Sequence, residues 1–343
     1  MTKAMRAILL AGVLFACSDS TGPSQVEFTV ISGDNQPGRA GQELAEPFVV
    51  RVSDRLGRGL RGVAVGWTVT SGEGVFNGRW EGWCAGSGYR SPVAKTWVRT
   101  DSDGLARMSF MPTVLHHVTV VAAAGDGYGP QVTFTTDATD PGATLTIVSG
   151  DGQERAAAYA MIDGEAFVAQ VTDGEGNQVS HVPVTWSVAS GEGRLVTWFP
   201  QCSEAPVTRT GNYGDGATFM EFVPTVVGTS TVSAAVAGVP PVTFTVDATR
   251  LVIYFGFDPW LGKSYFAGPK YSSDVTVPVG AVVEFRNFNP AARIRSTVTP
   301  LDGVSLDSGP LSEGERFQFV PEVAGTWEFV DENSGATGSL TAQ

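Results

Sequence analysis

Side chains that can act as nucleophiles or metal ligands are few in this sequence, which holds 3 Cys and 3 His among 343 residues. Cys84 lies within Gly82–Gly86 (GWCAG), which matches the G-x-C-x-G form of a nucleophile elbow. That motif acts only on a strand-to-helix turn with a histidine and an acid nearby, and nothing around it predicts a helix. His116 and His117 are adjacent, so on a strand they point to opposite faces and cannot share a metal ion. Together with His181 they are expected to be structural or solvent-facing, and we expect no enzymatic activity.

Two acidic segments, Asp101–Gly104 (DSDG) and Asp173–Asn177 (DGEGN), resemble oxygen-rich calcium loops. Both lack the bidentate glutamate that closes such a loop. Asp and Gly are typical of tight turns between strands, and we interpret both segments in this way. The sequence therefore predicts no metal site and no cofactor.

The overall composition indicates small β domains joined by tight turns, with 42 Gly, 20 Pro and only 17% charged residues. The formal net charge is −13. An acidic surface repels phosphate backbones, so nucleic acid is excluded as an expected partner. No small-molecule substrate is predicted either.

The N-terminal residues 1–17 are predicted to be an export signal. Lys3 and Arg6 give it a positive start, and the apolar run 7–16 that follows is too short to span a bilayer. No later apolar stretch is long enough to span one.

The end of this signal, Leu14–Cys17 (LFAC), resembles the lipobox of bacterial lipoproteins. The resemblance implies that Cys17 is lipidated, that the lipid anchors the protein to a membrane, and that the protein lies in the periplasm or on the cell surface. Residues 18–25 then form a polar tether. Phe15 departs from the small residue usual at its position, and the alternative is an ordinary signal peptide cut near the same place.

Residues 26–139 and 143–249 are two copies of one sequence unit, here named repeat 1 and repeat 2. A Ser-Gly-Glu-Gly turn occurs at 71–74 and again at 190–193. The closing sequence Thr-Phe-Thr-x-Asp-Ala-Thr occurs at 133–139 and at 243–249.

Within each repeat, segments such as Phe48–Val52 and Val182–Val188 alternate apolar and polar residues, which predicts strands with one face in a core. Trp67 and Trp186 are predicted core anchors of β-sandwiches. In the passage Asp173–Trp186 and in the closing sequence, the repeats resemble bacterial immunoglobulin-like domains of the invasin and intimin type. The resemblance implies rigid modules for display and adhesion, with no catalytic residues.

Cys84 and Cys202 occupy matching insertions in the two repeats. A disulfide requires Cα atoms within about 7 Å of each other. A bridge between these two residues, two free thiols and intermolecular pairing all remain open.

Residues 250–343, here named the C-terminal unit, do not repeat the earlier pattern. Strand-like segments at Val275–Asn287 and Gly325–Phe329 flank the turn-rich Gly309–Phe317. This arrangement resembles a plastocyanin-like cupredoxin, which implies a small Greek-key β-barrel or sandwich. The predicted fold class is all-β: two immunoglobulin-like sandwiches followed by a cupredoxin-like unit.

Blue-copper sites use a Cys thiolate and two His, usually with an axial Met. The last residues of these types are Cys202, His181 and Met220, all before the C-terminal unit. Matching the family's ligand positions gives Arg295 or Ser296 for the first His, Asp331 for the Cys, Ser334 near the second His, and Ala336 or Thr337 near the Met. The resemblance therefore implies a cupredoxin frame without copper.

Two features of the C-terminal unit favour binding to a protein partner. Arg286, Arg293 and Arg295 cluster around a loop, 287–290, that faces redox partners in the copper-binding relatives. A positive patch on an acidic protein predicts docking to an anionic surface. The alternative is three solvated arginines.

The second feature is a group of seven aromatic residues within Tyr254–Tyr271. Interleaved Gly and Pro preclude one regular strand, so part of the group is expected on a loop. Trp260, Tyr265 and Phe266 are the predicted partner-binding residues of this group, since Trp and Tyr are good interface anchors. The alternative is packing at a domain junction.

Two junctions join the three units. No Gly- or Pro-rich linker occurs at 249–251, which predicts a stiff connection between repeat 2 and the C-terminal unit, whereas Asp140–Gly142 allows a bend between the repeats.

The sequence thus favours a non-enzymatic, lipid-anchored envelope protein that presents rigid β domains to protein partners, in adhesion or envelope structure. The alternative is an extrinsic periplasmic subunit that docks on and stabilises a membrane protein complex, such as an electron-transfer complex. The cupredoxin frame, the arginines and the aromatic group favour this alternative.

Overall fold

The computed structural model describes residues 26–81, 91–92, 94–124, 129–158, 164–196, 207–211, 216–301 and 303–343. The predicted signal peptide and tether, the lipidation site Cys17, and Cys84 and Cys202 lie outside these residues. Within them the chain is built almost wholly of β-strands, with one turn of 3-10 helix at Pro269–Tyr271. The predicted all-β fold class is confirmed. No helix in the described part of the chain is long and apolar enough to cross a membrane.

Repeat 1 forms two main sheets that face each other across a core. Its strands are β1 (Glu27–Ser32), β2 (Gln36–Pro37), β3 (Phe48–Ser53), β4 (Ala64–Ser71), β5 (Gly74–Phe76), β6 (Trp80–Glu81), β7 (Ser91–Pro92), β8 (Lys95–Arg99), β9 (Leu105–Met108), β10 (Phe110–Pro112), β11 (His117–Ala124) and β12 (Gln131–Asp137). One sheet has the order β1-β3-β9, and the other has the order β2-β12-β11-β4-β8.

Alternation along the strands places the large rings of repeat 1 between these sheets. Phe48, on β3, lies 4.9 Å from Phe134 and 6.4 Å from Trp67, both on the facing sheet. All three side chains are fully buried, whereas Arg51 on the opposite face of β3 is exposed. Burial of these rings offsets part of the entropy lost on ordering the short strands.

Repeat 2 repeats this arrangement. Its strands are β13 (Thr144–Ser149), β14 (Gln153–Ala157), β15 (Phe167–Thr172), β16 (Pro183–Ser190), β17 (Gly193–Val196), β18 (Val207–Arg209), β19 (Ala217–Pro224), β20 (Gly228–Val236) and the first part of β21 (Val239–Asp258). Trp186 is fully buried and its ring lies 5.5 Å from that of Phe244, as Trp67 lies near Phe134 in repeat 1.

The C-terminal unit begins inside β21 and adds nine strands. They are β22 (Lys263–Ala267), β23 (Asp274–Val277), β24 (Val282–Asn287), β25 (Ala291–Ala292), β26 (Ile294–Val298), β27 (Leu311–Ser312), β28 (Arg316–Phe319), β29 (Gly325–Asp331) and β30 (Thr337–Ala342). One sheet has the order β23-β30-β29-β26 and packs over a core that contains Phe285, Trp327 and Phe329.

Strand β21 belongs to both repeat 2 and the C-terminal unit. Its first part pairs with β20 of repeat 2, and its second part pairs with β24 and with β22. The result is one eight-stranded sheet that runs through both units in the order β18-β16-β20-β21-β24-β28, with β14 and β22 also on β21. A continuous strand replaces a linker at 249–251.

Candidate functional site

The joint between the repeats is built on the Ser-Gly-Glu-Gly turn of repeat 1. Oε1 of Glu73 lies 2.6 Å from Nη1 of Arg209 in repeat 2 and accepts a hydrogen bond of 2.7 Å from the Thr113 hydroxyl. The Arg209 side chain is only 4% exposed and donates a second bond to the His181 carbonyl. This joint therefore holds a cation that is withdrawn from water.

The joint between repeat 2 and the C-terminal unit uses the same turn. Glu192, the counterpart of Glu73, lies 2.5 Å from Nζ of Lys270 in the C-terminal unit. Lys270 has a left-handed backbone with φ of 61°, a conformation uncommon for a residue with a side chain. Both side chains of this pair are more than half exposed, in contrast to Arg209.

A second repeated element supplies the apolar part of both joints. Leu115 of repeat 1 is 5% exposed and belongs to the core cluster of repeat 2. Its counterpart Val227, 112 residues later, packs against the core cluster of the C-terminal unit. Each repeat thus carries at one end the glutamate and the aliphatic residue that attach it to the next unit.

The turn at Asp140–Gly142, where the sequence allows a bend, is hydrogen-bonded to repeat 2. The Asp140 carboxylate accepts backbone hydrogen bonds of 3.0 Å from Gly142 and from Gly174 of repeat 2. Beside it, Arg39 of repeat 1 binds the Glu175 carboxylate through two bonds of 2.8 and 3.1 Å. This hydrogen-bonded arginine lowers the pKa of Glu175. Residues of both repeats therefore meet around this turn.

The most exposed apolar side chains within Tyr254–Tyr271 lie at the turn between β21 and β22. Trp260 is 94% exposed, Leu261 is 73% exposed and Phe257 is 54% exposed. The turn is held by Asp258, whose Oδ1 accepts the backbone N–H groups of Trp260 and Leu261 at 2.8 and 3.1 Å. We name Phe257–Lys263 the tip. Trp260 thus lies on the surface, where the sequence placed it.

Phe266 is a correction to the predicted partner-binding set. It is 4% exposed, its ring lies 4.6 Å from that of Phe255 and 5.0 Å from that of Phe329, and it belongs to the core. The cause is the alternation along β22, where Phe266 faces inward and Tyr265 outward. Tyr265 is half-buried and its ring lies 5.7 Å from that of the exposed Tyr271.

The structure places a second ring pair near Tyr265, which sequence reasoning did not include. Phe288 is 54% exposed and stacks on Tyr254 at 5.6 Å. The two ring pairs flank Gly256, where an added Cβ would lie 3.5 Å from the Tyr265 hydroxyl oxygen and 3.6 Å from the ring. We name Tyr254, Tyr265, Tyr271 and Phe288 the aromatic face. The sequence holds one signal for this face: Tyr254, Gly256 and Asp258 are alternate residues of β21, so they lie on the same face of the sheet.

Arg293 and Arg295 do not form the expected positive patch. Asp307 and Glu332 lie between them, with nitrogen–oxygen distances of 3.2 and 3.6 Å from Arg293 and of 3.5 and 2.8 Å from Arg295. The hydrogen bond from Arg293 lowers the pKa of Asp307. Two cations and two anions balance, so this cluster has little attraction for an anionic partner.

Arg286 lies apart from those two arginines, in a cluster around the buried Glu284 carboxylate. Arg286 donates a hydrogen bond to Glu284, and Arg250 and Arg316 lie 3.8 and 3.9 Å away from the same carboxylate. Burial raises the pKa of Glu284, but Arg286, Gln318 and Arg250 together outweigh this effect and lower it. The cluster depends on the registers of β21, β24 and β28, which sequence spacing does not reveal.

The residues at the copper-ligand positions do not fit a copper ion. Asp331 is fully buried, and its carboxylate accepts hydrogen bonds from the backbone N–H of Arg293 and from both the N–H and the hydroxyl of Ser334, at 2.7 to 2.8 Å. Arg295 carries a positive charge bound to Glu332. A hard carboxylate with its lone pairs engaged and a cation cannot replace the soft thiolate and imidazoles. No group of three or more His, Cys, Asp or Glu within the described ranges is arranged to hold a metal.

Comparison with known proteins yields weak likenesses in solved structures. No protein-family model matches this sequence. No curated protein matches it either. The D0-D1 domain of intimin is 18% identical over 64% of this chain and 97% of its own length, with a TM-score of 0.24.

The cupredoxins match a smaller part of the chain. A purple cupredoxin from Nitrosopumilus maritimus is 21% identical over 27% of this chain and 98% of its own length, with a TM-score of 0.22. A mutant amicyanin is 14% identical over 27% of this chain and 82% of its own length, at the same TM-score. Scores this low add nothing beyond the all-β class that the strands already establish.

Proposed function

We propose that this chain is a non-enzymatic, lipid-anchored envelope protein that presents rigidly linked β domains for protein–protein binding, in adhesion or in envelope structure. The observation that carries the proposal is the pair of joints. Each joint is built from a glutamate turn and an aliphatic residue at the end of the preceding repeat, and the second joint also contains the shared strand β21.

Rigid joints favour a presenting role because they remove the entropy cost of ordering the domains when a partner binds. A chain that only tethered a binding domain would gain nothing from a buried ion pair at one joint and a continuous sheet at the other. A metal-dependent catalytic role would require a ligand cluster, and no group of three or more His, Cys, Asp or Glu in the described part of the chain is arranged as one.

The test is purification of the tagged full chain from its native membranes in mild detergent, with the co-purifying chains identified and counted. We expect a protein partner at a fixed stoichiometry that is lost or weakened when Glu73→Ala loosens the first joint. A chain that retains its partner equally well in this variant would contradict rigid presentation. A chain that turns over a substrate would contradict the non-enzymatic role.

A second candidate function is an extrinsic subunit that docks on and stabilises a membrane complex, such as an electron-transfer complex. The aromatic face favours it, because each of its two ring pairs holds an exposed ring, Tyr271 or Phe288, against a half-buried one, and rings held in this way are good anchors at a protein interface. In the same purification, Tyr271→Ser should release such a complex, whereas Trp97→Ser, at a 44% exposed ring of repeat 1, should not. A complex unaffected by Tyr271→Ser would contradict docking through this face.

A further inference from the structure

The tip places two large apolar side chains at the apex of a short, firmly held hairpin. Trp260 and Leu261 are 94% and 73% exposed, so most of their surface makes no contact with the protein. Phe257 adds an exposed ring just below them. Contiguous exposed apolar side chains on a folded domain indicate a binding function.

The backbone of the apex has its N–H groups satisfied within the turn. Trp260 and Leu261 donate to the Asp258 carboxylate, Gly262 donates to the Asp258 carbonyl at 2.8 Å, and Pro259 has no N–H group. Leaving such a donor without a partner in an apolar medium is costly. The apex therefore enters an apolar medium without losing hydrogen bonds from its N–H groups.

The shape of the tip favours a bilayer over a protein pocket as that medium. A pocket needs a fixed side-chain conformation, and Trp260 has almost no protein surface to fix one. The bilayer interface accepts any conformation, and Trp is enriched there. Lys263, opposite Asp258 at the base of the hairpin and exposed, is placed where a cation meets the headgroups.

We propose that the apex of the tip, Trp260 with Leu261, inserts into the interfacial region of a lipid bilayer. The insertion is driven by apolar area rather than by attraction to anionic lipid, since the chain carries a formal net charge of −13. Insertion of the apex depends on neither the joints nor a protein partner, so its test is independent of the test of the proposed function.

The test is site-specific photo-cross-linking with a leucine analogue that carries an aliphatic diazirine. The full chain receives the analogue at Leu261 and is reconstituted with phosphatidylcholine vesicles, in which no other protein is present. The matched control carries it at Leu56, which is 77% exposed and also follows a turn-capping aspartate, Asp54, but stands alone between arginines. Lipid adducts are identified by mass spectrometry.

We expect lipid adducts from position 261 at a yield several-fold above that from position 56. Trp260→Ser should lower the yield at 261 to the control level, and Trp260→Phe should largely preserve it. Equal yields at the two positions, or no change with Trp260→Ser, would overturn the proposal. In native membranes, an adduct from 261 to a protein without any lipid adduct would also overturn it, and would place the tip in a protein pocket.

Discussion

Replacement of Glu73 by alanine should loosen the joint between the repeats far more than the equivalent change at the other joint. The carboxylate of Glu73 lies 2.6 Å from Arg209, whose side chain is 4% exposed. Removal of one partner of a buried pair costs about 3–5 kcal/mol, and an exposed pair contributes about 0–1 kcal/mol. Since Glu73 itself is 32% exposed, water reaches part of the site, and we expect a cost of about 2 kcal/mol.

That cost corresponds to a roughly thirtyfold increase in the population of the open joint. Spin labels on repeat 1 and repeat 2 of the full chain, read by pulsed electron resonance, would report it as a broader distance distribution. A second pair of labels, on repeat 2 and the C-terminal unit, reports the other joint. Glu192→Ala is the matched control, because its partner Lys270 is 63% exposed. Glu73→Gln keeps an acceptor for Thr113 and removes only the charge. Equal broadening in the two alanine variants, or none with Glu73→Ala, would refute the reasoning.

Three further predictions concern the C-terminal unit. Phe266→Ala should destabilise it by about 3–5 kcal/mol, because the ring is buried in the core, whereas Trp260→Ala should change the calorimetric melting temperature little. Because the pKa of Glu284 is lowered, its carboxylate stabilises the fold fully above the ordinary pKa of 4.5, and this contribution is lost as the pH falls through the lowered pKa. Glu284→Gln should therefore flatten the acid side of a plot of melting temperature against pH. Finally, copper added to the purified protein should give no intense visible absorption. Asp331→Ala should lower the melting temperature, since it removes the acceptor of three hydrogen bonds, and should create no such band. An intense blue band in either protein would contradict the conclusion that Asp331 does not fit a copper ion.

Sequence patterns located the strands and the main core residues because alternation reports directly on which side chains face inward. Trp67 and Trp186 are buried as expected, each at the centre of an alternating strand. The same information was insufficient for Phe266. Its inward orientation follows from the register of the hairpin, in which it lies opposite Phe255, and that register depends on where the turn at Asp258 closes.

Charge clusters were the least predictable feature, because their members come from separate strands. Glu284 and Arg286 are neighbours on one strand, but Arg250 and Arg316 join them from the two strands beside it. Arg293 and Arg295 likewise share Asp307 and Glu332, which come from distant parts of the sequence. Spacing along the chain says which residues are neighbours on one strand and nothing about the strand beside it. The stiff connection at 249–251 was predicted from the sequence, but the side chains that form the two joints were not, although the repeated Ser-Gly-Glu-Gly turn was a signal for them.

Strand β21 gives the two units that share it an unusual response to mechanical force. Its 20 residues correspond to roughly 65 Å of extended chain. The hydrogen bonds to β20 and β24 lie perpendicular or slanted to this strand, so tension along it loads the ladders in shear, with many bonds sharing the force at once. Separation of repeat 2 from the C-terminal unit along this strand therefore requires a ladder of hydrogen bonds to break, and a pull on the tip loads both ladders.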